Sequence, residues 1–233
     1  MRLINGRIVD KIQWVEKGNC YGYNVTGIVA VEDLGENKKL IIHYTYDDKN
    51  WSVVEGRYVK KTGSGIEIWS FETPINLPES KNEIYFCKFA IQYQSGDKEY
   101  WDNNQGKDYC LCINHENSYD CNVRYALGDI NVSLVSYDRG CNYNKYNKDF
   151  IIGTILLRNL GYNKDVRIRY TTDNWLSYKE EKAYYKDYNS NNIEIWSFTL
   201  EDIPQDTKVQ FCISYTVNGE IYWDNNFGDN YEG

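Results

Sequence analysis

Nine residues from Trp101 to Tyr109, WDNNQGKDY, recur 122 positions later as WDNNFGDNY, from Trp223 to Tyr231. In each copy an indole is followed by an aspartate and two asparagines: Trp101, Asp102, Asn103 and Asn104, then Trp223, Asp224, Asn225 and Asn226. A Gly and a closing Tyr complete the segment. Side-chain amides both donate and accept hydrogen bonds, so adjacent Asn and Asp can meet vicinal hydroxyls while the ring offers an apolar face. A sugar has the complementary surfaces, a C–H face and a hydroxyl rim. A second indole lies upstream in each copy, Trp51 after Asp48-Lys49-Asn50 and Trp175 after Thr172-Asp173-Asn174. Both follow a strand-like run in polar company, which puts them at loop tips where an idle Trp is costly to expose. Paired Trp residues from two loops form a platform for consecutive sugars. The competing reading makes these four rings a lid on the end of a sandwich. Asp102 and Asp224 can equally cap a turn by accepting backbone N–H groups.

The elements that must position these groups are themselves duplicated. Gly27 to Trp51 corresponds to Gly153 to Trp175, with the second copy two residues shorter before its Trp. IEIWSF stands at Ile66 and again at Ile193, and FAIQYQSGDKEYWDNN aligns without a gap on FCISYTVNGEIYWDNN. A repeat of this length is one domain written twice. The expected organisation is residues 1–114, a short polar linker at 115–123, and residues 124–233. Within each copy apolar residues alternate: Ile41, His43 and Thr45 against Leu40, Ile42 and Tyr44; Phe211, Ile213 and Tyr215 against Cys212, Ser214 and Thr216. That period of two, broken by turns such as Ser95-Gly96-Asp97 and Val217-Asn218-Gly219, predicts antiparallel strands and a β-sandwich in each domain. Trp69 and Trp196, mid-strand beside Phe71 and Phe198, are expected in the cores.

Composition narrows the partners. A net charge of −8 without a run of Lys or Arg argues against nucleic acid and anionic membrane, since both demand phosphate neutralisation. The first residues, MRLINGRIVDKIQWV, contain no apolar signal core, and no segment is long and apolar enough to cross a membrane, so a cytoplasmic protein is expected. The seven cysteines are expected as reduced thiols, with Cys87 and Cys212 as small buried apolar groups. Cys110, Cys112, His115 and Cys121 form a cluster of soft ligands, but Cys-x-Cys is tighter than zinc sites use, and neither metal nor cofactor is expected.

Taken in order, GTILLRNLGYNK, VRIRYTTDNW and WDNNFGDNY resemble carbohydrate-binding module family 21, which includes starch-binding domains of glucoamylases and glycogen-targeting subunits of type-1 protein phosphatase. The resemblance covers nearly all of the second domain and, more loosely, the first. It implies an immunoglobulin-like β-sandwich that binds α-1,4-glucan without catalysis. By matching position it implies stacking by Trp175 and Trp223 with hydrogen bonds from Asn225 and Asn230; in the first domain the same places hold Trp51, Trp101, Asn103 and Asp108. It also implies a second site at Tyr162 with Lys164. In the first domain Glu36 replaces that ring, although Lys38 is kept. Asp108 in place of the expected amide loses the NH2 donors and adds a charge, so the second domain is expected to hold the better site.

The function expected is a bivalent α-glucan binder. One shallow site of about −5.5 kcal/mol gives a dissociation constant on the order of 0.1 mM. Two linked sites gain on the order of 100-fold where both engage one polymer. The alternative is an adaptor that brings a glycogen-metabolising enzyme or phosphatase to glycogen. Lys11-Ile12-Gln13-Trp14 and Lys208-Val209-Gln210-Phe211 fit a common phosphatase-docking pattern, but each falls in a predicted strand. Catalysis is not expected, because His43 is mid-strand, His115 is in the linker, and no nucleophile or phosphate-loop motif is present.

Overall fold

The computed structural model describes residues 1–15, 18–78, 84–114, 122–141, 148–189 and 192–233, with backbone alone at 13–15, 18 and 19. They divide into two compact units, Met1–Asp129 and Ile130–Gly233. The first contains β1 (Arg2–Val15), β2 (Gly18–Glu32), β3 (Lys38–Thr45), β4 (Ser52–Glu55), β5 (Arg57–Lys61), β6 (Ile66–Glu72), β7 (Tyr85–Ser95), β8 (Lys98–Asp102), β9 (Tyr109–Ile113), β10 (Asn122–Val123) and β11 (Tyr125–Leu127). One antiparallel sheet runs β11-β1-β2-β6-β5 and the other β10-β9-β7-β3-β4, with β8 also on β7. The second unit repeats the plan with β12 (Val132–Cys141), β13 (Lys148–Arg158), β14 (Lys164–Thr171), β15 (Lys179–Lys182), β16 (Tyr184–Asn189), β17 (Ile193–Pro204), β18 (Gln210–Val217), β19 (Glu220–Asp224) and β20 (Tyr231–Glu232). Its sheets run β12-β13-β17-β16 and β15-β14-β18-β19, with β20 also on β18.

Each unit is a β-sandwich because the inward side chains of its two sheets meet in one core. In the first, Val25, Val29, Trp69 and Phe71 pack with Leu40, Ile42, Phe89 and Ile91. In the second, Ile155, Leu157 and Phe198 pack with Ile168, Phe211 and Ile213. The repeats open on Gly for a steric reason. Gly27 lies opposite Phe71 and Gly153 opposite Phe198, and a Cβ at either would collide with that ring. Trp69 is buried as expected, whereas Trp196 is only partly buried and packs at the border of its core.

Residues 124–127, which the repeat assigns to the second copy, join the first unit. Asn5, Gly6 and Arg7 of β1 pair with Leu127, Ala126 and Tyr125 of β11, so the division falls between Asp129 and Ile130. Strand pairing, a long-range property, decides this and the linker's composition does not. The thiols also depart from expectation in one place. Cys87 and Cys212 are buried, and burial pushes the Cys212 thiol up to about 11. Cys112, however, is disulfide-bonded and is not available as a thiolate ligand. His115 and Cys121 lie outside the described residues.

Candidate functional site

The recurring Trp-Asp-Asn-Asn segments are extrusions from an antiparallel edge. β8 pairs with β7 from Ser95 to Ile91, and β9 resumes on the same strand from Phe89, so residues 103–108 leave the ladder and return almost where they left. β19 and β20 do the same on β18, with residues 225–230 extruded between Ile213 and Phe211. Such a tight excursion needs left-handed backbone. Asn104, Gln105, Gly106 and Asp108 have φ of 51°, 59°, 85° and 56°, and Asn226, Phe227, Gly228 and Asn230 have 52°, 61°, 100° and 58°. Gly, Asn and Asp tolerate this region best, which accounts for three of the four positions in each loop; Gln105 and Phe227 hold the fourth at a conformational cost.

Most polar groups of the motif hold the loop in place. Asp102 accepts from the backbone N–H of Leu3 at 2.7 Å and from the Tyr109 hydroxyl at 2.9 Å. Asp224 accepts from Leu134 N–H at 2.7 Å and from the Tyr231 hydroxyl at 2.8 Å. Burial pushes the Asp224 carboxyl above its ordinary value, against the pull of those donors. Asn104 Nδ2 donates to the Asp108 carbonyl at 3.0 Å and Asn226 Nδ2 to the Asn230 carbonyl at 2.8 Å. Asn103 Oδ1 accepts from Gly106 N–H at 2.9 Å, and Asn225 Oδ1 from Gly228 N–H at 3.1 Å. Asp102, Asp224, Tyr109, Tyr231, Asn104 and Asn226, all candidate sugar contacts in the sequence, thus each make hydrogen bonds that hold the loop. Facing outward are the ring of Trp101, 50% exposed, that of Trp223, 45% exposed, the exposed Asn104 and Asn225, and the partly exposed Asn103, Asp108 and Asn230.

The sheet face under each ring differs between units. In the first, the His43 ring lies 4.8 Å from Trp101 centroid to centroid, with His43 Nε2 2.9 Å from Gln92 Oε1. In the second, Arg169 occupies the position of His43. Its guanidinium carbon lies 5.1 Å from the Trp223 ring and 4.5 Å from that of Tyr178, and Glu180 accepts from its Nε at 2.9 Å.

The upstream Trp residues part company. Trp51 is 45% exposed on a loop clamped by Asp47, which accepts from Lys49 N–H at 2.9 Å and Asn50 N–H at 2.7 Å. These backbone bonds, chiefly, hold the Asp47 carboxyl well below the usual range. In the second unit Asp173 does the same through Ser177, whose hydroxyl donates at 2.6 Å, and through the Thr171 hydroxyl; the carboxyl sits at about 2. Trp175 is only partly exposed, has φ of 67°, and buries its indole N–H without a partner. Leu176 and Tyr178 take the outside, the latter 56% exposed.

Tyr162 is 97% exposed on the rim of a depression of about 580 Å3 that also involves Asn163, Thr216 and Asn218. Lys164, expected beside it as a ligand, also borders that depression, with its charge turned to a buried partner. Its Nζ lies 3.0 Å from Glu194, the two side chains being 7% and 10% exposed, and Glu194 also accepts from Trp196 Nε1 at 2.9 Å. Lys38, Glu67 and Trp69 build the same triad in the first unit, with Lys38 to Glu67 at 2.6 Å. IEIW is repeated because Glu and Trp serve this pair.

Two tandem antiparallel sandwiches, each presenting an indole on an extruded amide loop, define a ligand-binding module in duplicate. The family description carbohydrate/starch-binding module (family 21) matches residues 10–112 and again 130–232, and the chain belongs to that family. It is 38% identical over 86 residues to protein phosphatase 1 regulatory subunit 3C of Bos taurus, covering 35% of this chain and 27% of the relative. It is 32% identical over 170 residues to GLC7-interacting protein 2 of Saccharomyces cerevisiae, covering 68% and 28%, and 37% identical over 173 residues to protein phosphatase 1 regulatory subunit 3B of Danio rerio, covering 71% and 53%. The chain therefore matches about a quarter to a half of these relatives' lengths. Among solved structures it is similar to the carbohydrate-binding module of the muscle glycogen-targeting subunit of protein phosphatase-1, at 26% identity and a TM-score of 0.36, covering 44% of this chain and 73% of that one. Among the described residues no helix is long and apolar enough to cross a membrane.

Proposed function

We propose that the chain binds α-1,4-glucan without catalysis through both units, with Trp101, Trp51 and Asp108 serving the first and Trp223 and Asn230 the second. What carries this reading is a costly exposed indole supported twice by the same strained, internally bonded loop. Such a loop is preorganised, so little ordering entropy is lost when a shallow polysaccharide settles on it. Tyr162 is proposed as the ring of a second site in the second unit, with Lys164 at its border. The units correspond to residues 1–129 and 130–233, a division that replaces the one read from the repeat. Affinity electrophoresis in glycogen or amylopectin gels tests the reading: strong retardation is expected, lost in a Trp101→Ala, Trp223→Ala double variant. Free migration of the wild type would overturn it. No release of reducing sugar from starch is expected.

A second reading, recruitment of a phosphatase to glycogen in the cytoplasm, is favoured by the names of the relatives. Of the two docking-like segments, Lys208 to Phe211 is closed to a partner because Val209 and Phe211 are fully buried. Lys11 and Ile12 lie in β1 with their backbone paired to Gly22 and Tyr21, yet Ile12 is 65% exposed. Pulldown of a type-1 phosphatase catalytic subunit is expected to weaken with Ile12→Ala; stoichiometric capture by the unaltered and altered chains alike would remove this segment from the reading.

A further inference from the structure

Sequence alignment equates Trp51 with Trp175, but strand register equates Trp51 with Tyr178. In the first unit Tyr44 pairs with Ser52 and His43 with Val53. In the second, Tyr170 and Arg169, at the same repeat positions, pair with Lys179 and Glu180. The residue directly before the strand is therefore Trp51 in one unit and Tyr178 in the other, and both are about half exposed, 45% and 56%. Trp175 lies further back in its loop, turned in, with a left-handed backbone and a buried N–H.

Tyr178 is also coupled to the ring already assigned to the ligand. Tyr178 and Trp223 both rest on the Arg169 guanidinium, at 4.5 Å and 5.1 Å, and Glu180 fixes that group from the strand that Tyr178 introduces. Arginine stacks on aromatic faces through its planar fork, so one side chain sets the spacing of two exposed rings. Beside Tyr178 a cavity of about 170 Å3 is bordered by Thr172, Ser177, Lys179 and Asp202, polar groups suited to hydroxyls.

We propose that Tyr178, not Trp175, is the second stacking ring of the glucan site in the second unit, placed beside Trp223 by Arg169. This rests on the glucan-binding reading above.

The test uses the full chain with Trp101→Ala to silence the first unit, and maltoheptaose as probe. In calorimetry Tyr178→Ala is expected to weaken binding about tenfold, as Trp223→Ala does. Tyr178→Phe should hold within about twofold, because stacking needs the ring and not the hydroxyl. Trp175→Ala should retain binding and lower the melting temperature. To separate contact from mere support of Arg169, nuclear Overhauser effects are expected between the Tyr178 ring and sugar C–H protons. Unchanged affinity in Tyr178→Ala, or Overhauser effects from Trp175 instead, would overturn the assignment while leaving glucan binding intact. Failure of the wild type itself to bind maltoheptaose would remove both.

Discussion

The two units hold the same loop on different supports. Residues 103–108 and 225–230 agree in their left-handed positions, their aspartate anchor and their closing tyrosine, yet Trp101 lies against the His43 imidazole and Trp223 against the Arg169 guanidinium. The difference shows where duplicated domains are free to diverge. Three of the four left-handed positions of the extruded loop keep Asn, Gly or Asp, because most side chains are strained there, and only the position of Gln105 and Phe227 departs from that set. The sheet face beneath needs only to support a ring, and the loop before the next strand needs only to deliver one to it.

The buried Lys–Glu pairs offer the sharpest contrast. Lys164 is 7% exposed and Lys38 18%, and Asp33 also reaches Lys38 and Lys61. Lys164→Ala leaves Glu194 buried and unpaired and is expected to lower stability by about 3–5 kcal/mol in denaturant unfolding. Lys38→Ala should cost at least as much, since it leaves Glu67 at 6% exposure, against 10% for Glu194, and takes a partner from Asp33 as well. A clearly smaller loss would mean that Lys61 moves in to cover the orphaned carboxylates.

Removing the rings comes next. Trp101→Ala and Trp223→Ala are each expected to weaken maltoheptaose binding at their own unit about tenfold. On glycogen gels each single variant should already lose most of the avidity, and the double variant about the product of the two losses, because engagement of linked sites multiplies their affinities. Near-normal retention of each single variant, with retention lost only in the double, would indicate that the units bind independently.

A smaller effect addresses the amide that separates the two loops. Asp108 and Asn230 both have φ near 57°, 56° and 58°, and both residue types accept it, so exchanging them should leave melting unchanged. Asp108→Asn restores NH2 donors and is expected to strengthen the first site by about two- to threefold, read by titration of a Trp223→Ala chain. An unaltered affinity would mean that the charge difference is neutral and that the supports beneath the rings decide which unit binds better.

The mildest effect is acid sensitivity. Asp173, held at about 2 by the Ser177 and Thr171 hydroxyls, lies below the ordinary aspartate value, so its folded-state bonds favour the carboxylate. The stabilisation is complete above the unfolded pKa near 4 and fades as pH falls from about 4 to 2. Tryptophan emission of a Trp101→Ala, Trp51→Ala chain should shift over that window, and Asp173→Asn should remove the shift.

The duplication, the strands and the left-handed loop were legible in the residues because each rests on local rules: period-two alternation, turn residues, and the few side chains that tolerate positive φ. The roles within WDNN were not. Asp102 and Asp224 read equally as sugar ligands or caps until their partners were seen, and those partners, Leu3 and Leu134, lie 99 and 90 residues away. Lys164 read as a surface ligand for the same reason, since Glu194 stands 30 positions on. Sequence by itself determined two sandwiches with an indole loop each. Only the tertiary structure decided which indoles face solvent, because exposure depends on strand register, and the loops before Ser52 and Lys179 deliver Trp51 in one unit and Tyr178 in the other.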